Sequence, residues 1–363
     1  MLADLQLRNF RCFESLAVEL SPGSNFFVGR NGQGKTSILE AACVLLRLQS
    51  QRSPTLGPIV RFGEKSFGVS GRHADHLLEF RYSPLRRKIA FDHVEQRTLD
   101  EYLRVARVVS FANTDIELVR GSSEARRRYL DFLGAQIDPL YRPTLRAYER
   151  ALRSRNALLK SPHPRPRELA AYDPPLLEHG AKLSAMRAGL VERLAPLAAA
   201  AHREISVTGE KLEVGFSPGN GDDFPRDLAN SRAQEARLRQ TVVGPHRDDI
   251  RLLVEAKAAN QYASEGQQRT VALALKIAQS RIFMMEEGTP PLLLIDDIFG
   301  ELDPIRRNSL LQHLPAGAQK LVTATTTQWV ENGLGGPVSE LTDGRLIRRE
   351  AVSKSGGLKP PTN

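Results

Sequence analysis

Cysteine is nearly absent from this chain of 363 residues, which holds only two, Cys12 and Cys43. Their spacing suggests no partnership, and no Cys/His cluster has the spacing of zinc ligands. A disulfide scaffold and a structural zinc site are therefore not expected, and a reducing, cytoplasmic compartment is. No apolar run approaches the roughly 18 residues that a membrane span needs. The first residues alternate as a strand does, where a secretory signal would show a basic patch and an apolar run. Internal repeats and long heptad runs are missing, so no extended coiled-coil arm is expected. A basic patch interleaved with aromatics is missing as well, as is any groove-reading motif.

What is present is a chain with enough apolar residues, 41%, to bury a core. Lys and Arg number 51 against 42 Asp and Glu, a formal charge of +9, and the pI is near 9.7. That balance favours a polyanionic partner such as nucleic acid, although arginines held in salt bridges give the same arithmetic. Leu5 and Leu7, then Leu16, Val18 and Leu20, alternate with polar neighbours, and Asn25–Val28 leads into a glycine-rich loop. Helical sequence follows from Thr36 to about Leu48. Short runs between Arg52 and Phe91 read as an antiparallel sheet. From Glu101 to about Ala201 the apolar residues fall at helical spacing amid arginines, as in Ser123–Phe132, Tyr141–Lys160 and Pro174–Ile205. The run Ser161-Pro162-His163-Pro164-Arg165-Pro166 must interrupt a helix.

The string Gly29-Arg30-Asn31-Gly32-Gln33-Gly34-Lys35-Thr36 matches G-x-x-x-x-G-K-[ST], follows an apolar strand and opens a helix. Glycines there let successive backbone N–H groups turn inward around phosphate oxygens, and the helix N-terminus adds partial positive charge. Lys35 is the expected partner of β- and γ-phosphates, and Thr36 a ligand of Mg²⁺. Leu292-Leu293-Leu294-Ile295 reads as a strand buried on both faces, delivering Asp296 and Asp297 at its end. Asp296 is then the expected Mg²⁺ carboxylate, and Asp297 the group that orients or deprotonates the attacking water. ATP and Mg²⁺ are the cofactors this pairing calls for.

Ser264-Glu265-Gly266-Gln267-Gln268-Arg269 precedes an amphipathic helix. Taken alone it is a capping box, with Ser264 as N-cap and Gln267 three residues on. Its position a short distance before the carboxylate strand makes it resemble the signature of ABC ATPases. In that family the serine and the helix N-terminus cap the γ-phosphate of ATP bound by the opposite subunit, which requires a head-to-tail pair with C₂ symmetry. Gly300-Glu301-Leu302-Asp303-Pro304 stands where those proteins carry the D-loop. It is also a plain turn with Asp303 as N-cap. Thr323-Ala324-Thr325-Thr326 stands at the switch position without the histidine of transporters, which counts against transport and fast hydrolysis.

With these motifs placed, the chain resembles the RecF family over nearly its whole length. The resemblance rests further on Leu7-Arg8-Asn9-Phe10-Arg11, on Glu124-Ala125-Arg126-Arg127-Arg128-Tyr129-Leu130-Asp131, and on Val243-Gly244-Pro245-His246-Arg247-Asp248-Asp249. It implies an α/β fold, an ABC-type P-loop ATPase head with an inserted helical second lobe. The head is expected from residues 1–100 and 240–350, the helical lobe from 101–239, and a disordered tail from 351–363. The resemblance also implies an ATP-dependent homodimer that clamps DNA (single-stranded or gapped duplex), with weak, DNA-stimulated hydrolysis. Cooperation with RecO and RecR in loading RecA, recombinational repair, replication restart and the SOS response follow from the same resemblance. Glu265, Gly300 and Asn113-Thr114-Asp115 depart from the family's usual residues, and Asp297 is shorter than the glutamate of transporters, in keeping with slow hydrolysis. Arg126–Arg128 and the arginines of 142–155 are the candidate DNA contacts, to be weighed against a solvated helical face. His246 and Arg247 are expected in a turn entering the second half of the head, joined to a structural ion-pair network, not in catalysis. An SMC-like DNA-organising head and a P-loop kinase are the alternative readings.

Overall fold

The computed structural model describes residues 1–349 apart from 54, 97–98, 163–164, 207–208, 327–334 and 343. The tail expected at 351–363, and His163 and Pro164 of the proline run, lie outside the described residues. The head elements begin with β1 (Asp4–Phe10), β2 (Phe13–Glu19), β3 (Ser24–Val28) and α1 (Lys35–Arg47). They continue with β4 (Phe67–His73), β5 (His76–Tyr82), β6 (Arg87–Phe91), β7 (Val94–Glu95) and β8 (Val108–Ala112). Next come α2 (Ser123–Ile137), α3 (Tyr141–Leu159), α4 (Asp173–Ile205), β9 (Leu212–Ser217), β10 (Asp249–Val254) and β11 (Lys257–Ala258). The last are α5 (Glu265–Glu287), β12 (Leu292–Asp296), α6 (Pro304–His313), β13 (Lys320–Ala324), β14 (Val338–Thr342) and β15 (Arg345–Arg349).

Two units interleave along the chain. The first comprises Met1–Ala112, Pro291–Glu301 and the described residues from Gly317 on; the second, Asn113–Pro290 and Leu302–Ala316. The expected division put all of 240–350 in the head and all of 101–239 in the helical lobe, and it is corrected at both joints. Helix α5 buries Val271, Leu275, Ile277 and Phe283 and packs along α4, which draws residues up to Pro290 into the helical unit. Conversely, Val108–Ala112 pairs in parallel with β12, so it belongs to the head.

In the first unit one sheet is antiparallel, in the order β2-β1-β4-β5-β6-β7. The other runs β15-β14-β3-β13-β12-β8, parallel except for its edge strand β15. Helix α1 packs against strands of both sheets, which is why its sequence is apolar all round at Ala41-Ala42-Cys43-Val44-Leu45-Leu46. Strands β3 and β12, covered on both faces, read as continuous apolar runs for the same reason. The one carboxylate on α1, Glu40, is fully buried. Arg11 meets it with two parallel bonds, at 2.8 and 2.7 Å, while donating a third to the Pro58 carbonyl at 2.9 Å. The Leu7–Arg11 string thus ends in the residue that neutralises the core of the phosphate-loop helix.

In the second unit, two of the strings named above meet. Arg126 holds Asp249 through bonds of 2.6 and 3.0 Å, and Arg127 donates to the Asp248 carbonyl at 2.8 Å. Arg187 of α4 joins Asp131 at 2.8 Å to the buried Asp248 at 3.1 Å. Arg155 is fully buried, bidentate to Glu235 at 2.7 and 2.8 Å and bonded to Thr241 at 2.7 Å. Removing one partner of such a pair strands a buried charge, a loss of about 3–5 kcal/mol. His246 lies in the turn that enters β10, which belongs to the helical unit and not, as expected, to the head, and hydrogen bonds hold it in place of the expected ion pairs. Its Nε2 bonds the Thr241 carbonyl at 2.9 Å, which can only accept, so Nε2 carries the proton and Nδ1 accepts from the Tyr148 hydroxyl at 2.6 Å.

Burial lowers the pKa of His246 from 6.5 to about 4, and the neighbouring Arg247, Arg127 and Arg155 push the same way. An unfolded imidazole binds a proton where the folded one does not, so stability present above pH 6.5 is lost as the pH falls toward about 4. This histidine's share of that loss is up to about 3 kcal/mol. Urea unfolding across that window is expected to show a shallower decline in His246→Gln than in the wild type. Superimposable slopes would rule out the buried neutral imidazole.

Candidate phosphate-binding site

The loop between β3 and α1 turns through glycines at φ 82° (Gly32) and 102° (Gly34). At Gly34 space matters as much as conformation: a Cβ would sit 2.6 Å from Cys12 Sγ and 2.7 Å from the Phe13 ring. Arg30, Asn31 and Gly32 are exposed, while Gln33 and Gly34 are half-buried. Lys35 begins α1, and its ammonium donates to the carbonyls of Gly29 at 2.5 Å and Arg30 at 3.0 Å. Burial lowers its pKa, against the attraction of Asp297 and Asp296.

One carboxylate oxygen ties the site together. Asp296 Oδ1, at the end of β12, accepts from Thr36 at 2.7 Å and from Thr323 at 2.8 Å. The Thr323 hydroxyl in turn accepts the backbone N–H of Asp297 at 2.9 Å. Asp297 has φ 51°, a left-handed conformation that costs a non-glycine residue about 1 kcal/mol or more. Burial raises the Asp297 carboxyl, and Asp296 and Glu301 add to the rise while Lys35 opposes it. Thr323 was placed by sequence at a switch position, with no sign that it would bridge the two aspartates. Among the described residues no group of three or more His, Cys, Asp or Glu converges as a metal-ligand set. The hydroxyl of Thr36 and the carboxylate of Asp296 are nonetheless hard oxygen donors at one point. They suit a divalent cation that takes its remaining ligands from water and an anion.

The Ser264 string belongs to the second unit, where it forms the expected capping box. Ser264 Oγ accepts from the Gln267 N–H at 3.3 Å, and the Ser264 N–H donates to Gln267 Oε1 at 2.6 Å. Ser264 and Glu265 are exposed. Asp303 caps α6 by accepting the Arg306 N–H at 2.9 Å, as its turn sequence predicts. Sequence reading missed Arg306, whose guanidinium bonds Asp303 at 2.6 Å and Thr270 of α5 at 3.2 Å and lies 3.2 Å from where a Gly266 Cβ would stand. A cation three residues after an N-cap aspartate was the available signal.

The candidate DNA arginines divide. Arg126 and Arg155 are buried in ion pairs, and Arg127 is turned onto a backbone carbonyl, so these three are structural. Arg142 is half-buried, while Arg128, Arg146, Arg150 and Arg153 remain exposed, Arg128 and Arg153 paired along their own helices with Glu124 and Glu149.

The AAA domain profile matches residues 4–120. The curated DNA replication and repair protein RecF of Symbiobacterium thermophilum is 39% identical over 341 residues, covering 89% of this chain and 91% of its own. RecF of Bacillus cereus is 34% identical over 350 residues, covering 91% and 93%. A solved structure of "the recombination mediator protein RecF-ATPrS in RecFOR pathway" superposes with a TM-score of 0.86 at 30% identity, covering 96% of this chain and 98% of that one. A solved Smc head bound to the C-winged helix domain of ScpA gives a TM-score of 0.56 at 14% identity, a likeness of fold alone. Fold and site define an ABC-type P-loop ATPase head with a helical second lobe. Within that class the chain belongs to the RecF family of DNA replication and repair proteins.

The two glycines predict different penalties. Gly34→Ala meets both a disfavoured φ and hard contacts, and should lower stability by about 2–4 kcal/mol. Gly32→Ala meets the φ alone, with nothing within 4 Å of its Cβ, and should cost about 1–2 kcal/mol. Equal unfolding midpoints for the two variants would contradict the packing of Gly34 on Cys12 and Phe13.

Proposed function

We propose that this protein is a nucleotide-gated DNA clamp of recombinational repair and replication restart. Two copies close head to tail around ATP, the closed pair grips DNA, and slow hydrolysis reopens it. The observation that carries this reading is the meeting of Thr36, Asp296 and Lys35 at the mouth of a glycine loop, in a chain whose relatives include RecF solved with ATP. Backbone N–H groups of Gly29–Thr36 cradle the phosphates, and Lys35 neutralises the β- and γ-phosphates. Thr36 and Asp296 hold Mg²⁺, which supplies charge neutralisation along the phosphates. Asp297, with its raised pKa, orients or deprotonates the attacking water. Ser264 and Gly266 of the opposite copy cap the γ-phosphate. Slow hydrolysis accords with an aspartate in that position and no histidine among Thr323–Thr326. Action with RecO and RecR to load RecA on gapped DNA, and support of the SOS response, belong to this reading by family.

Dimerisation and DNA binding, followed on the same samples with and without ATP and Mg²⁺, test it. ATP should drive both in the wild type and neither in Lys35→Ala. Ser264→Arg should keep ATP binding and lose dimerisation. An oligomeric state indifferent to ATP would overturn the clamp. Thr323→Val should slow hydrolysis about 10- to 100-fold, the equivalent of one hydrogen bond to a charged group. It should leave ATP affinity within a few fold, and Thr323→Ser should restore the rate. Because Asp297 acts deprotonated, the rate should fall with decreasing pH through its raised pKa, and Asp297→Asn should abolish that limb.

A further inference from the structure

The registers of the antiparallel sheet align a row of cations that the function above does not use. Arg8 of β1 pairs with Gly68 of β4, Gly68 with Arg81 of β5, and Arg81 with Lys88 of β6. Residues paired in this way project from the same face. The neighbouring row, Leu7-Val69-Phe80-Ile89, is buried on the opposite face. Arg8, Arg81 and Lys88 are all exposed. Strand spacing puts Arg81 about 5 Å from Lys88 and about 10 Å from Arg8 at the backbone.

This row works against folding. Like charges directly opposite each other on neighbouring strands repel. Glycine in a strand interior sacrifices packing, and it commonly marks a place where another backbone comes close. Neutralisation is incomplete. Arg8 has no ion pair among the described residues, and Arg81 reaches Glu79 only at 3.7 Å, a carboxylate shared with His93. Lys88 shares Glu95 with Arg86. Gly68 is half-exposed between the two arginines, and a Cβ there would touch only Arg81 Cγ, at 3.8 Å.

We infer that the outer face of this sheet, along Arg8, Gly68, Arg81 and Lys88, receives the sugar–phosphate backbone of DNA. The inference rests on the clamp reading and gives it a surface, in place of the arginines at 126, 127 and 155 that the fold consumes internally. An exposed sheet face with a cation row and a glycine gap suits a polyanionic backbone. It reads backbone charge, not base sequence.

The test is binding of a blunt, mixed-sequence duplex to the full-length protein with ATP and Mg²⁺, over a range of salt. The triple variant Arg8→Gln, Arg81→Gln, Lys88→Gln should reduce the slope of log affinity on log salt by about 2–3. Affinity at moderate salt should drop on the order of 10- to 100-fold. Neutralising Arg120, Arg165 and Lys182, exposed cations each paired with a carboxylate three or four residues away, should leave the slope unchanged. Gly68→Asp, which adds a carboxylate between the arginines, should weaken DNA binding without lowering the unfolding midpoint. That variant keeps the question answerable if the triple variant folds poorly. An unchanged salt slope in both row variants, with wild-type binding intact, would overturn the inference and leave the clamp standing; the row would then serve another acidic partner. Failure of the wild type to bind DNA would overturn both.

Discussion

A single carboxylate oxygen organises the head. Asp296 Oδ1 accepts hydrogen bonds from Thr36, in the first turn of α1, and from Thr323, at the end of β13. The three elements can meet only if β12 and β13 are parallel neighbours and the glycine loop delivers α1 at their carboxyl ends. The apolar runs of β3 and β12, the burial of α1 from both sides and the left-handed turn at Asp297 all serve that convergence. Glu40 shows what the arrangement costs. A helix packed between two sheets cannot send its carboxylate to water, and Arg11 has to come from the first hairpin to meet it.

The helical unit solves a similar problem with arginine. Arg126, Arg155 and Arg187 lie inside it, each fork matched to carboxylates and carbonyls. Replacing such pairs by apolar side chains is often neutral or stabilising, whereas breaking one is costly. The pairs join α2, α3, α4 and the turn into β10 through bonds that cannot lose one partner without stranding a buried charge. His246, held neutral between Tyr148 and a carbonyl, belongs to the same assembly.

These buried arginines also change how the basic composition is read. A net charge of +9 points to a polyanion, but charge counts every arginine alike. Those at helical spacing in the middle of the chain looked like the natural contacts, and three of them are spent internally. The cations that remain exposed and incompletely neutralised include a row on the antiparallel sheet, where no helical periodicity or local clustering draws attention to them.

Sequence by itself determined what depends on neighbours in the chain. The glycine loop followed by a helix, the buried strand ending in two aspartates, the capping box at Ser264 and the helix stop before the proline run are all local, and all are present in the described residues. Membership of the RecF family was legible for a related reason, since its strings are short and contiguous. Tertiary structure decided the rest. Helix α5 went to the helical unit because its apolar side matched α4, a choice that no periodicity within α5 encodes. Thr323 became the link between two aspartates because parallel pairing set it beside Asp296. Arg8, Arg81 and Lys88, scattered over 80 residues of sequence, became one row because strand register is fixed by which faces are buried. Hydrogen-bond partners across a sheet and charge partners across a core are chosen by the packing of whole elements, and a linear pattern does not contain that choice.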